Sequence, residues 1–431
     1  MTEQSASLLS VSAWKQRLVF WCGAIMVGLL IVAMTMLSEW AAETYRQLSL
    51  RYFWFNFLIA PLGLSMIAWL TFRLFPGSER SGIPQVKVAL EISDNLSQRE
   101  KLLSLRIVVG KMLLPIMGLL SGASVGFGGP ATHVGASFMS SLGKAVRFPT
   151  HYMEKGLILA GSAAGFAAMF SAPLAGIIFA IEEMGRALEE KVSSMVLTAI
   201  VFSGVTAYAI LNSYIFFSDN YFVLPWDQSW LAVPLCGIAG GLMGGLFSKI
   251  ILSGSRLLNR TGLSIVTIAF VCGGIIAILG HYSGGTTSGT GYQQAKAILQ
   301  GTGEMDPLYP IFKMLATCAT YFSGIPSGIF VPSIATGAGI GVNLAHWFPI
   351  APASVMILLS ITAYFSGMLQ SPLTSFVLVM EMTNSNEILI PLMAATFFAT
   401  ATSKLFNPVP LYRALCDSYK QTSEDQTKDE T

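Results

Sequence analysis

Apolar residues come in long unbroken runs along this chain, separated by short polar stretches. Leu18–Leu37 is apolar but for Thr35, and Phe53–Leu70 and Met195–Ile210 are nearly so. Further runs cover Trp230–Phe247, Leu263–Gly280, Val355–Leu369 and Ile388–Thr400. About twenty apolar residues cross the hydrocarbon core of a bilayer as a helix. Backbone N–H and C=O groups in lipid need partners within their own segment, so such runs predict helices. The short alternating segments of a membrane barrel are absent. The pattern predicts an all-α polytopic membrane protein. Composition agrees, with 53% hydrophobic and 11% charged residues, against roughly a quarter charged in soluble domains.

The first run is too long for a signal-peptide core and has no small-residue cleavage site after it, so it reads as a retained span. Lys15 and Arg17 precede it, and Arg73–Lys111 carries seven Lys or Arg residues. The positive-inside rule then places the N-terminus in the cytoplasm. The expected organisation is a cytoplasmic segment over residues 1–14, one transmembrane domain over 15–416, and a short polar tail over 417–431. The ends have disorder-like composition, and the tail is too short for a soluble regulatory domain. That simplicity suggests a multi-pass protein of a prokaryotic inner (plasma) membrane.

Within the domain a pattern recurs. Gly126-Phe127-Gly128-Gly129-Pro130 is followed by Pro173-Leu174-Ala175-Gly176 and Glu182. Gly328-Ile329-Phe330-Val331-Pro332 is followed by Pro372-Leu373-Thr374-Ser375 and Glu381. Each half reads Gly-x-x-x-Pro and then a Pro-Leu helix start, with a glutamate nine residues beyond that second proline. Two related halves are a common transporter plan; the pattern alone leaves their relative orientation open. Ser81-Gly82-Ile83-Pro84 is a third interruption of apolar sequence. Proline suits a first helical turn, and glycine permits sharp turns and close approach. All three segments predict broken helices that start inside the membrane and aim free N–H groups at a cavity. Each N-terminus carries about half a positive charge, so several together bind an anion without a lysine or arginine that would hold it too tightly.

The motifs resemble those of the CLC family of chloride channels and chloride/proton antiporters. Ser81–Pro84 is similar to its GSGIP segment, with Arg80 where glycine is usual. Gly126–Pro130 is similar to GxEGP, and Gly328–Pro332 to GIFxP. Phe170-Ser171-Ala172-Pro173-Leu174-Ala175-Gly176, running on to Ile181-Glu182-Glu183-Met184, resembles xNAPLAGxxFxxEE, and Leu411-Tyr412 matches the family's pathway tyrosine. The resemblance implies a CLC-type fold of two inverted-repeat halves with broken helices meeting at mid-membrane, assembled as a homodimer with one pathway per subunit. It also implies a chloride site made by the hydroxyls of Ser81 and Tyr412 and the backbone N–H groups of Ile329 and Phe330. Serine at this position is the family's chloride-associated choice; nitrate-favouring relatives tend to carry proline.

One departure bears on mechanism. The glutamate that gates and couples family antiporters is replaced by Gly128, which neither plugs the outer anion site nor carries a proton. Glu183, matching the inner proton-transfer glutamate, is retained. The expected function is transmembrane transport of chloride and other small anions, passive or weakly proton-coupled. The alternatives are an antiporter with a substitute proton carrier, with Glu79 the nearest carboxylate, and a degenerate non-transporting membrane protein. Gln85 and Lys87 stand where acids are common in relatives, Ser171 replaces asparagine, and Lys111 and Lys313 occupy familiar basic positions.

Other chemistry finds little support. No protease-like Ser/His, paired-Asp or His-Glu-x-x-His arrangement is visible, so no enzyme is expected. His133 reads as a structural histidine, and Cys22, Cys236, Cys272, Cys318 and Cys416 as packing residues, with no metal or other cofactor implied. A net charge of +2 gives no reason to expect nucleic acid.

Overall fold

In a computed structural model, residues 11–52, 54–92, 96–146, 151–185, 194–211, 222–302, 306–383 and 385–429 are described. The first half runs α1 (Val11–Arg51), α2 (Phe55–Leu74), α3 (Ile83–Glu91), α4 (Leu96–Leu102), α5 (Leu105–Leu120), α6 (Gly128–Val146), α7 (His151–Phe170) and α8 (Pro173–Phe179). A π-helical turn over Ala180–Met184 and α9 (Ser194–Leu211) complete it. The second half runs α10 (Ala232–Arg260), α11 (Ile265–Tyr282), α12 (Tyr292–Leu299), α13 (Tyr309–Phe322), α14 (Phe330–Trp347), α15 (Ala353–Leu369), α16 (Pro372–Thr383) and α17 (Leu389–Ser403). A last helix, α18 (Leu411–Asp429), follows. Among the described residues, six helices are long and apolar enough to cross a membrane.

The two halves pack alike. α6 lies against α7 as α14 lies against α15; α9 covers α7 as α17 covers α15; and α2 packs on its counterpart α11. At the centre, Gly126 N–H donates to Gly328 O (2.9 Å) and Gly328 N–H to Gly126 O (2.7 Å). This antiparallel exchange joins equivalent glycines of the two Gly-x-x-x-Pro segments, so a local two-fold axis passes between them. The halves are inverted about that axis, with α6 and α14 starting beside it.

The recurring glutamates complete the symmetry. The Glu182 carboxylate accepts from the N–H of Leu373 (3.1 Å) and from the N–H and hydroxyl of Thr374 (2.6 and 2.7 Å), capping α16. The Glu381 carboxylate accepts from Leu174 N–H (3.1 Å) and Ala175 N–H (2.8 Å), capping α8. Each half caps the other's helix with a charge that suits the positive end of its dipole. Glu182→Ala and Glu381→Ala should each cost about 1–2 kcal/mol of stability. Thermal melting of the detergent-solubilised protein should therefore show a lower midpoint for each variant.

Helices beyond the long apolar runs are packed through small residues. A Cβ on Gly135 of α6 would stand 2.0 Å from Gly161 O of α7, and one on Gly165 would stand 2.1 Å from Ala131 O. Such backbone contact between helices needs glycine, as in other membrane bundles.

The ends differ from expectation. Residues 1–10 of the N-terminal segment, and Phe53 at the start of the second run, lie outside the described residues, whereas residues 11–14 already belong to α1. α1 also outlasts its apolar run, helped by an exposed Glu43–Arg46 pair (2.8 Å) of helical spacing. The polar stretch from Ser418, expected to lack structure, is helical as far as Asp429. It extends a helix docked on α3: the Tyr419 hydroxyl donates to Glu79, and Lys420 pairs with Glu91.

Candidate functional site

A short ladder of loop backbone gathers the three interrupted segments. Arg80 N–H donates to Ile325 O (3.2 Å), and Ser327 N–H donates to Arg80 O (3.0 Å). Gly328 then pairs with Gly126, so the starts of α3, α6 and α14 meet in one place. Gly82 caps α3 at φ 95°, with Pro84 in the first turn. The preceding Arg80 is also left-handed, at φ 53°. That conformation explains why glycine is the expected residue there.

Ser81 and Tyr412, far apart in sequence, come together at the gathered helix starts. Their hydroxyl oxygens lie 3.3 Å apart and both side chains are buried. Tyr412 stands in the first turn of α18, and its ring centroid lies 6.0 Å from that of Phe330. Ile329 caps α14 and Phe330 opens it; both are buried. The first four N–H groups of a helix have no acceptor within it, so α14 presents donors beside the two hydroxyls. Gly129 closes the other side: a Cβ there would stand 2.2 Å from Ser81 Oγ. The structure brings Ser81, just before α3, beside Tyr412 in the first turn of α18, with Phe330 at the start of α14 next to them and Ile329 preceding it. Hydroxyls and a helix N-terminus are donors of the kind a small anion accepts from.

The profile of the family described as Voltage gated chloride channel matches residues 63–404. The chain belongs to the CLC family. Two curated CLC relatives, the H(+)/Cl(-) exchange transporters ClcA of Yersinia pestis bv. Antiqua (strain Angola) and Yersinia pseudotuberculosis serotype O:3 (strain YPIII), are each 28% identical over 379 residues. Those matches cover 83% of this chain and 77% of each relative. Among solved structures, a slow cyanobacterial Cl⁻/H⁺ antiporter shares the fold at a TM-score of 0.78 and 23% identity, covering 94% of this chain and 97% of that one. A CLC-type fluoride/proton antiporter does so at 0.77 and 20% identity, covering 94% and 99%. This CLC protein is a membrane protein of an anion-transporting family.

Around the CLC core, Gly128 lies against aromatic rings. A Cβ at this position would stand 2.7 Å from Phe330 Cδ2 and 3.2 Å from Phe170 Cε2. Phe166 joins them, 5.7 Å from Phe330 and 4.9 Å from Phe170 between centroids, and stacks on Phe179 at 4.2 Å. Sequence reasoning did not identify this aromatic wall; Phe170, Phe179 and Phe330 stood inside the motifs as its only signal. Glu183 is buried in the π-helical turn. It accepts from Lys87 Nζ (2.5 Å) and from the hydroxyl of Ser371 (2.7 Å). Lys87, one of the residues departing from the family pattern, is thus the partner of Glu183.

Two further basic residues are accounted for by backbone. Lys111 donates to Arg80 O (2.5 Å) and Glu79 O (3.3 Å), and Lys313 donates to Thr287 O (2.8 Å) and Gly289 O (2.9 Å). Each buried lysine braces the turn before a left-handed glycine, Gly82 in one half and Gly291 in the other. His133 Nε2 donates to Leu102 O (2.8 Å), a structural role. Among the described residues no His, Cys, Asp and Glu side chains gather as for a metal ion, and all five cysteines are free.

Proposed function

We propose that this protein carries chloride passively across the membrane, through a pathway centred on Ser81, Ile329, Phe330 and Tyr412 in each subunit of a homodimer. The inner plasma membrane is the proposed location. Hydroxyls and N–H groups replace water around a dehydrated halide, and their partial charges let it leave again. The observation that carries the passive reading is Gly128. At the start of α6, where a gating carboxylate would reach the anion, this chain has a hydrogen atom facing the rings of Phe330 and Phe170. Neither ring accepts a proton or competes with chloride.

Glu79 does not make good the loss. Its carboxylate accepts from the Tyr419 hydroxyl, and its carbonyl accepts from Gln85 Nε2 (3.0 Å) and Lys111. These bonds tie it to α18 and the α3 turn. The ClcA relatives are named as H(+)/Cl(-) exchangers, and Gly128 is the reason this chain is assigned a different mode.

Purified protein in chloride-loaded liposomes should release chloride when valinomycin supplies a potassium path, with no protonophore added. Protein-dependent efflux no greater than that of empty liposomes would identify a non-transporting relative. Ser81→Ala/Tyr412→Phe removes both hydroxyls with little change of volume. Each lost hydrogen bond to an anion is worth about 1.5–3 kcal/mol. Chloride binding by calorimetry should weaken at least tenfold, whereas unchanged affinity would place the site elsewhere.

A further inference from the structure

The two halves carry equivalent turns before α3 and α12. In one, Lys111 donates to the carbonyls of Glu79 and Arg80; in the other, Lys313 donates to those of Thr287 and Gly289. Arg80 N–H donates to Ile325 O in the opposite half, as Gly289 N–H donates to Ala123 O. Gly82 and Gly291 follow two residues later, at φ 95° and 86°. Arg80 and Gly289 are therefore counterparts, and both are left-handed, at φ 53° and 76°. Among the described residues, a Cβ on Gly289 would meet only Ala42 Cβ within contact range, at 3.8 Å. Glycine there supplies backbone conformation and not room. The same conformation costs energy at an arginine. The other non-glycine residues at positive φ, Ser171 and Gln370, precede the matched prolines Pro173 and Pro372 by two residues and so occur in both halves. Among the described residues, Arg80 is the left-handed side chain that one half has and the other lacks.

That side chain stands at the edge of the candidate site. Ser81 is 1% exposed, whereas Arg80 beside it is half-buried. One peptide bond thus separates the buried hydroxyl from a partly open mouth on the α18 side. The Arg80 guanidinium carbon lies 5.5 Å from the centroid of the buried Tyr321 ring, and the group is within electrostatic reach of Tyr419 on α18. Tyr321 is in turn within reach of Tyr412. Attraction to a ring face holds a guanidinium without neutralising it. Among the described residues Arg80 joins no ion pair. The neighbouring Glu79 carboxylate takes the Tyr419 hydroxyl, and Lys111, the other cation at this turn, is buried beneath the two carbonyls.

We propose that Arg80 is the anion-gathering residue of this pathway, a fixed cation at the mouth that concentrates chloride beside Ser81. The inference rests on the passive chloride reading and adds to it how the anion reaches the site. At the mouth, and not at Ser81 itself, a full charge raises the local anion concentration without trapping the ion at the centre. A guanidinium is also more weakly hydrated than an ammonium, so less bound water has to be shed as the anion arrives.

The test is the initial rate of chloride efflux for wild type, Arg80→Gly, Arg80→Gln and Arg80→Lys. Liposomes hold about 20 mM potassium chloride, with or without potassium glutamate to about 500 mM on both sides, and valinomycin supplies the potassium path. The added salt shortens the screening length from about 20 Å to about 4 Å and leaves chloride unchanged. Arg80→Gly takes the residue its counterpart already uses, so the turn keeps its shape. At low salt Arg80→Gly and Arg80→Gln should each be about fivefold slower than wild type, the effect of one charge at intermediate range. At high salt the gap should close to within about twofold, and Arg80→Lys should keep at least about half the wild-type rate in both. Neutral variants as fast as wild type at low salt overturn the proposal. So does a loss that salt leaves unchanged, or one that Arg80→Lys shares in full, because a packing role responds to neither charge nor salt. Wild type that releases no chloride in either salt refutes the passive reading, a separate outcome that takes this inference with it.

Discussion

Gly128→Glu should slow chloride efflux at neutral pH by about tenfold and make it acid-activated. The carboxylate would stand at the N-terminus of α6, where free N–H groups and the helix dipole favour a negative charge by up to about 2 kcal/mol. A tenfold effect corresponds to about 1.4 kcal/mol, so tethering a competing anion there accounts for the loss. The new Cβ would stand 2.7 Å from Phe330 Cδ2, and the Phe330 ring must swing aside to admit it. The ionised carboxylate competes with chloride, so the block is present above its pKa and relieved as pH falls through it. Gly128→Gln separates charge from bulk, since it keeps the side-chain size and should show no acid activation. Efflux equal to wild type would show that Gly128 does not line the anion path.

Gly129→Ala tests the centre of the site from another side. Its methyl would stand 2.2 Å from Ser81 Oγ and 2.8 Å from Ser81 O. The serine has little room to retreat. Its neighbour Arg80 is bonded to Ile325 and Ser327 and braced by Lys111. The methyl therefore forces the hydroxyl away from Tyr412 or pushes α6 outward. Overpacking of this kind costs about 1–3 kcal/mol. Chloride binding should weaken at least tenfold, with a lowered melting temperature. Ser81→Gly/Gly129→Ala removes the worst contact, so its stability should rise above that of Gly129→Ala while its chloride binding stays weak. Recovery of binding in the double variant would show that Ser81 is not a ligand.

The sequence carried the framework where a motif imposes a local conformation. The Gly-x-x-x-Pro segments required a turn into a helix, and Gly126 and Gly328 pair across the symmetry axis. The two glutamates at matched spacing became reciprocal helix caps, a use the spacing alone did not reveal. What was not legible depends on contacts between distant segments. Lys87 stood in sequence as a departure from a pattern, and its meaning is the carboxylate of Glu183, 96 residues away. Helices α6 and α7 gave weak hydropathy signals because glycine–backbone contact replaces bulky apolar packing. The polar end read as unstructured because composition does not register that Tyr419 and Lys420 dock on Glu79 and Glu91.

The proposed passive pathway rests on Gly128, where the start of α6 carries no carboxylate and faces the rings of Phe330 and Phe170. Simultaneous recording of chloride and proton movement tests that account most directly. Liposomes bearing the purified protein, with a steep outward chloride gradient and an equal pH on both sides, should release chloride on addition of valinomycin while the external pH stays level. Uphill proton movement driven by the chloride gradient, in fixed proportion to the chloride released, would contradict it.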